Sequence, residues 1–516
     1  MNELDASQEV IAFILPPATA LAGMRLSRWI PGEKFETQFG FGFRFAFGLG
    51  VGMVAFTQAV LLCTLIGINA PGLLAWGAIL WGGVELVLRA MKFPQAWKLI
   101  KFQPAHLWLL LLLPLLYSWW VFGNLSTLEG TLEFDANAFW VFKSKIMYLE
   151  QGRDFLAVLH QPNLAYMHMD YPMLVPCLYT FTYGAVGGVD EFVNKVWPFW
   201  MMVTLSIGIL SLAYTWRRPH PLPIAVVTLI GFLPATIQFI RNEGGTIPMV
   251  FAISMATLLA VKAMSEEDDA APAAIPLAFA VCFCTKLEGV VFSGICSCAL
   301  LPFFLRRRWF ANAAFLRSAV AAIVCLLPYV FYRLTKPVVH PESLWMHDMA
   351  SNPGAVLHRF PQTLFLNFFA RFFGPQFFQW KDNADHLQWT GQWTGPECLS
   401  NAELSVLPWL LLVLLLLSLV FNARGRLTLG LLSGVILVVL AFLSFVISSL
   451  SRMQADLAKV IDMTLNVSGR YYYPFFVAWF LGIVSLWFPN KSDLPLPPQL
   501  EEKRAGPPPK KPKRRQ

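Results

Sequence analysis

The sequence predicts an all-α protein, a polytopic transmembrane helical bundle of about 13 spans. Three observations predict it. Only 14% of the residues are charged while 56% are hydrophobic, where soluble domains carry about 25% charged residues. The mean hydropathy is +0.56. Apolar runs long enough to cross a bilayer, about 20 residues each, recur from one end of the 516-residue chain to the other. Without water to satisfy the backbone, long segments of this kind are helices.

Taken in order, the chain opens with spans at 9–24, 45–67 and 71–89. The first is preceded by Glu3, Asp5 and Glu9 rather than Lys or Arg, so it reads as a retained span and not as a secretory signal. A span at 106–123 and a long polar loop at 124–170 follow. Within the loop Phe139, Phe142, Ile146 and Leu149 recur at one-stripe spacing, the mark of a helix lying along the membrane surface. The stretch 171–188 is apolar but short, opened by Pro172 and Pro176 and closed by Gly184, Gly187 and Gly188. It is expected to re-enter or lie on the membrane rather than cross it.

Six spans follow, at 196–216, 222–240, 246–263, 272–285, 288–304 and 315–333. A second long loop, 334–403, carries Trp345, Trp380, Trp389 and Trp393, which favour an ordered segment. Three last spans sit at 404–421, 428–449 and 471–488. The tail, 491–516, combines Pro507–Pro509 with Lys510–Arg515 and reads as a disordered basic segment on the cytoplasmic side, near anionic lipid.

The net charge of +8 does not indicate nucleic-acid binding, because residues 501–516 alone supply five of those charges. The eight cysteines fall mostly inside apolar runs, and neither Cys282/Cys284 nor Cys296/Cys298 has the spacing of a zinc site or disulfide framework. Lys and Arg in short loops mark the cytoplasmic side. An outside N-terminus puts the loops with Arg25, Arg28 and Lys34, with Arg89 to Lys101, with Arg217 and Arg218, with Arg306–Arg308 and with Arg424 and Arg426 all inside. What remains outside is 124–170, 241–243, 286–288, 334–403 and 450–470.

Four short constellations lie on that outer face. In the first, Glu133 and Asp135 precede the surface helix; a carboxylate at the membrane face suits a general base, and equally Asp135 is a helix N-cap. The second is His168-Met169-Asp170-Tyr171-Pro172, where the loop returns to the membrane, or simply an entry turn. The third is the pair of turns Arg241-Asn242-Glu243-Gly244-Gly245 and Thr285-Lys286-Leu287-Glu288-Gly289, whose charges interrupt apolar segments as functional groups or as mutual salt bridges. The fourth is Ser468-Gly469-Arg470-Tyr471-Tyr472-Tyr473-Pro474, which reads as a phosphate contact or as an interfacial aromatic belt.

In this order and on one side, these motifs resemble the GT-C superfamily of polyprenyl-phosphate-sugar glycosyltransferases, particularly bacterial relatives of protein O-mannosyltransferases and the lipid A aminoarabinose transferase. The resemblance runs over about 106–488 and implies a main membrane domain at 106–490, with the three earlier spans, residues 1–105, as an N-terminal extension. Thr246 stands where those relatives carry an Asp, leaving Glu243 as the substitute acidic group. The resemblance implies transfer of a sugar from a polyprenyl-phosphate carrier to a hydroxyl on a glycan, lipid or protein acceptor, at the periplasmic face of a bacterial inner membrane. It casts Asp135 as base, with Glu133 or Asp170 as alternatives, and Arg470, Tyr471, Lys286, Glu288, Arg241, Glu243, His168 and Lys143 as substrate contacts. A monophosphate donor need not require a metal, although a divalent cation stays possible through His168, His340 and His347. Two other readings are open. One is a transporter or flippase of a lipid-linked or small solute, which also uses intramembrane charge and broken helices. The other is a polyprenyl-diphosphate ligase or polymerase centred on His347, Arg359 and Arg371.

Overall fold

A computed structural model describes residues 6–91, 104–128, 136–150, 153–167, 171–213, 221–241, 244–265, 270–337, 353–354, 356–357, 360–361, 363–364, 378–380, 387–389, 406–422, 425–450 and 469–488. Apart from one antiparallel pair of three-residue strands, β1 (Phe378–Trp380) and β2 (Leu387–Trp389), the regular structure described is helical. Among the described residues, eight helices are long and apolar enough to cross a membrane, or nine if one bent pair counts as a single span. The protein is a multi-pass membrane protein built on these helices.

The first three long helices pack as a unit. Helix α1 (Ala6–Trp29) leads through the short α2 (Glu33–Gln38) to α3 (Phe41–Ile66) and α4 (Pro71–Ala90). Gly23 of α1 sits against the Gly48 carbonyl and the Gly52 amide of α3, and Gly82 of α4 against the Ala18 carbonyl of α1. Any side chain there would collide with backbone. Small residues are what let membrane helices approach this closely, since lipid offers no hydrophobic drive for association. On its other side α4 exposes Leu73, Trp76, Leu80, Val84 and Val87, a stripe of one helical face.

Helix α5 (Leu112–Leu128), preceded by a 3-10 helix at Pro104–Leu111, leads toward the loop at 124–170. There a π-helical turn at Ala136–Val141 continues into α6 (Phe142–Leu149), and α7 (Arg153–Leu159) follows. The predicted surface helix is present, but its protein-facing side differs from the apolar stripe. Trp140, Lys143, Ser144 and Met147 are buried, while Phe139, Phe142 and Ile146 are half-buried and Leu149 is exposed. The reason is polar: the Thr180 hydroxyl donates to the Ser144 carbonyl at 3.1 Å, which turns that side of α6 inward.

Helix α8 (Leu174–Val186) is too short to cross, about 20 Å at 1.5 Å per residue, and almost all of its residues are buried. Its C-terminal end receives a hydrogen bond from the Gln8 side chain at the start of α1 (2.9 Å to the Val186 carbonyl). Just before its N-terminal end, Tyr171 packs on Trp140. The helix therefore lies inside the bundle rather than on its surface.

Helix α9 (Val196–Ala213) then runs the full thickness, from the Trp197–Thr182 hydrogen bond to a close approach of Ser211 on Gly40 and Gly42 at the start of α3. The single span expected at 222–240 is broken into α10 (Pro221–Phe232) and α11 (Pro234–Arg241), bent by 63°. Pro234 has no N–H to give the Ile230 carbonyl four residues back. The Thr236 hydroxyl donates to that carbonyl at 2.6 Å instead, and the Trp119 indole donates to the next one, Gly231, at 3.0 Å. Side chains have replaced the backbone donors that the break removed, as a membrane interior requires.

The centre of the bundle is α12 (Thr246–Ser265), buried along nearly its whole length. Around it stand α13 (Ala270–Thr285), α14 (Leu287–Arg306), α17 (Arg426–Leu450) and α18 (Gly469–Ser485), with α15 (Ala313–Leu334) packed on α13 and α16 (Val406–Phe421) on α18. Of the remaining predicted spans, those at 106–123, 272–285, 404–421 and 471–488 correspond to apolar helices shorter than 18 residues.

The two ends of the bundle differ in charge. At one end lie Arg25, Arg28, Arg44, Arg89, Lys262 and Arg306–Arg308: Arg307 donates to the Ala263 and Met264 carbonyls that end α12, and the Lys262 ammonium lies 5.6 Å from the Phe39 ring. At the other end the outer segments meet, and His160 after α7 bonds the Thr335 carbonyl after α15 at 2.6 Å.

Candidate functional site

The site is assembled at the second of these ends from five segments distant in sequence. The turn between α13 and α14 supplies Lys286 in extended backbone geometry, and its carbonyl accepts from the Gly289 amide at 3.0 Å to start α14. Gly289 packs directly against the Cys282 backbone, so the turn is held tight by the absence of a side chain. Lys286 is 8% exposed. Its Nζ lies 5.1 Å from the centre of the Tyr471 ring on α18 and 3.9 Å from Glu288. The second distance is an ion pair too long for a hydrogen bond.

Facing it, the start of α12 contributes Gly245. A β-carbon there would come within 3.0 Å of Lys286 Cε and 3.2 Å of Trp140 Cζ2. The missing side chain is thus what lets the Lys286 stem and the Trp140 indole share one space. Trp140 in turn forms the wall for Lys143, whose Nζ sits 5.4 Å from the Trp140 ring and 5.7 Å from the Tyr171 ring, with the two rings 6.3 Å apart. Lys143 is 1% exposed. An ammonium this deep is costly, and aromatic faces recover part of its lost hydration.

Behind the two lysines is a scaffold of hydroxyls and rings. Asn194 donates to Tyr183 at 2.8 Å, and the Tyr183 hydroxyl stands 3.5 Å from Ser144. Lys145 pairs with Glu191 at the edge. Tyr473, one turn along α18, hydrogen-bonds Thr236 just after the α10–α11 break, so the same hydroxyl that repairs the break also anchors α18. The bend, the Lys286 turn and the Arg470-Tyr471 segment are coupled through these contacts.

Of the residues expected from sequence, Lys143, Lys286, Glu288 and Tyr471 are brought into this neighbourhood. Arg241 lies exposed on the last turn of α11. Arg470 falls on the first turn of α18, with its side chain outside the described set. Glu133, Asp135, His168, Asp170 and Glu243 lie outside the described residues, as do His340, His347, Arg359 and Arg371. The nearest described chain positions to the three acidic candidates Asp135, Asp170 and Glu243 are Ala136, Tyr171 and Gly244, within the segments that meet here. Among the described residues no group of three or more His, Cys, Asp or Glu is arranged to hold a metal ion.

Trp140, Tyr171 and Gly245 are walls that the reading of charged residues passed over. Each was visible as an aromatic or glycine beside a charge in the same motif, which is the only signal available before tertiary contacts are known. No family model matches the chain, and comparison with curated proteins and with solved structures gave no match.

Proposed function

We propose that the protein is a membrane-embedded glycosyltransferase that moves a sugar from a polyprenyl-phosphate carrier to an acceptor hydroxyl at one face of the bilayer. The observation that carries the reading is the convergence of Lys143 and Lys286, both nearly buried, on one aromatic-walled end of the bundle. A lipid phosphate that departs from the anomeric carbon needs fixed positive charge near its oxygens in a water-poor setting. Lys286, with Glu288 beyond hydrogen-bond range, retains donors for such an oxygen. Tyrosine and tryptophan walls suit the apolar faces of a pyranose ring.

In this proposal the acceptor hydroxyl gives its proton to the carboxylate of Asp135 as its oxygen bonds to the anomeric carbon. The bond from that carbon to the phosphate oxygen breaks, and the polyprenyl phosphate leaves with the electron pair, held by Lys286, Lys143 and Arg470. Glu133 and Asp170 are the alternative bases. The reaction would face the periplasm of a bacterial inner membrane, because the arginine-rich helix ends lie at the opposite side and mark the cytoplasm.

The test is transfer by the purified protein in nanodiscs supplied with a panel of polyprenyl-phosphate sugars. Asp135→Asn is expected to lower transfer by about 10²- to 10⁴-fold, the worth of a general base, with the thermal unfolding profile unchanged. Wild-type turnover in that variant removes Asp135 as base. A transporter reading has one observation in its favour, the broken α10–α11 helix. It predicts solute uptake in liposomes and no response to any sugar donor.

A further inference from the structure

At the end of the bundle away from the candidate site, four arginines share two carboxylates. Glu36 of α2 meets Arg28 at 3.4 Å, Arg44 at 3.2 Å and Arg89 at 3.7 Å, while Glu85 of α4 meets Arg25 at 3.3 Å and Arg89 at 2.6 Å. The cluster therefore keeps two positive charges in excess of its own acids. Arg44 Nε is buried and has no acceptor among the described residues, and a buried donor is costly where it stays unmet.

The surroundings of the cluster face lipid. Arg25 stacks on the Trp29 ring and Arg89 on the Phe41 ring, each at 5.5 Å, and those two rings are 56% and 50% exposed. The Trp29 ring also lies 6.2 Å from the Trp81 ring of α4, so the exposed apolar surface next to the guanidinium groups is aromatic. A ligand here would have its charged part among guanidinium groups and its apolar part against these rings.

We propose that the Arg28–Arg44–Arg89 cluster binds the headgroup phosphate of an anionic phospholipid, whose acyl chains lie against the exposed Trp29 and Phe41 rings. The guanidinium fork matches phosphate oxygens in pairs, and basic recesses between membrane helices on the cytoplasmic side are suited to anionic headgroups. The site stands apart from the sugar-transfer reading and does not depend on it.

The experiment is native mass spectrometry of the full-length protein released from nanodiscs of equimolar phosphatidylglycerol and phosphatidylcholine. Wild type is expected to retain phosphatidylglycerol selectively. Arg28→Gln is expected to retain about fivefold less, the share of one arginine near a charged surface; its side chain is 41% exposed, so its removal should spare the fold. Arg28→Gln with Arg44→Gln should abolish selectivity, and if that pair fails to fold the single variant decides. Arg306→Gln with Arg308→Gln removes two charges from the same end and is expected to leave retention unchanged. Equal loss in that control, unchanged retention in Arg28→Gln, or inorganic phosphate stabilising wild type as strongly as phosphatidylglycerol would each overturn the proposal.

Discussion

Single residues decide whether the two buried lysines share one space. Gly245 is the smallest lever, because a methyl group there would press on both the Lys286 stem and the Trp140 ring at 3.0 to 3.2 Å. The neighbours would have to yield by a few tenths of an ångström, and the lysine stem is the softer of the two. Gly245→Ala is therefore expected to weaken donor binding by about tenfold, the effect of roughly 1.4 kcal/mol, while thermal stability changes little. Measuring the donor concentration that half-saturates sugar-dependent stabilisation checks this, and an unchanged value would separate Lys286 from the donor. Lys286→Met should act in the same assay and more strongly, since it removes the charge and nearly keeps the length of the stem.

Elements carry the next level of the argument, and the broken helix α10–α11 is the clearest case. Thr236 supplies the bond that Pro234 cannot, and it also holds Tyr473 on α18. Thr236→Val keeps the volume but leaves the Ile230 carbonyl only the longer 3.3 Å bond from the Leu233 amide and deprives Tyr473 of its partner, at an expected cost of about 1 to 3 kcal/mol. A lowered unfolding temperature in detergent, restored by Thr236→Ser, is the expected result; no change would mean the break is held by packing alone. The small-residue seam between α1 and α3 makes a second case. Gly48→Leu would drive a side chain into the Ala20 backbone and Met24, and such overpacking costs about 1 to 3 kcal/mol. Loss of the folded fraction in a detergent melt is expected, with Gly430→Leu, open on its surroundings, as the neutral comparison.

These same elements show how far the sequence could be read. Hydropathy located the apolar helices because each must satisfy its own backbone in lipid, whatever its neighbours do. The bend at Leu233–Pro234 was not legible, since a proline in a membrane helix breaks it or not according to which side chains can take over the freed carbonyls. Nor was the inward side of α6, where Ser144 and Lys143 face the protein although an apolar stripe lies beside them. A periodic pattern tells which face is greasy, and in a bilayer the greasy face need not be the one that packs on protein. The lysine turn was legible as charges breaking an apolar run; its aromatic walls were not, because rings near charges are common at every membrane interface.

At the scale of the whole molecule, the bundle has two unlike ends, and the orientation of the protein follows from them. The arginine-rich end gathers Arg25, Arg28, Arg44, Arg89 and Arg306–Arg308, joined there to Lys262 and the end of α12, whereas Lys143 and Lys286 lie at the end where α7 meets the stretch after α15. Short-loop arginines are retained on the cytoplasmic side during insertion, so the lysine end is expected to face outward. Two exposed positions, Ser265 at the end of α12 and Gln161 after α7, mark the two ends without touching either cluster. In a cysteine-free background, Gln161→Cys should react with a membrane-impermeant maleimide on intact cells, and Ser265→Cys only after permeabilisation. Labelling of both from one side would contradict the two-ended bundle, since α12 and the α7 region would then share a face. The reverse pattern would keep the bundle but turn the lysine end toward the cytoplasm, where a sugar donor and acceptor would have to be cytoplasmic too. The outcome thus separates an error in the fold from an error in its placement, and the sugar-transfer proposal survives in its outward form only with the first pattern.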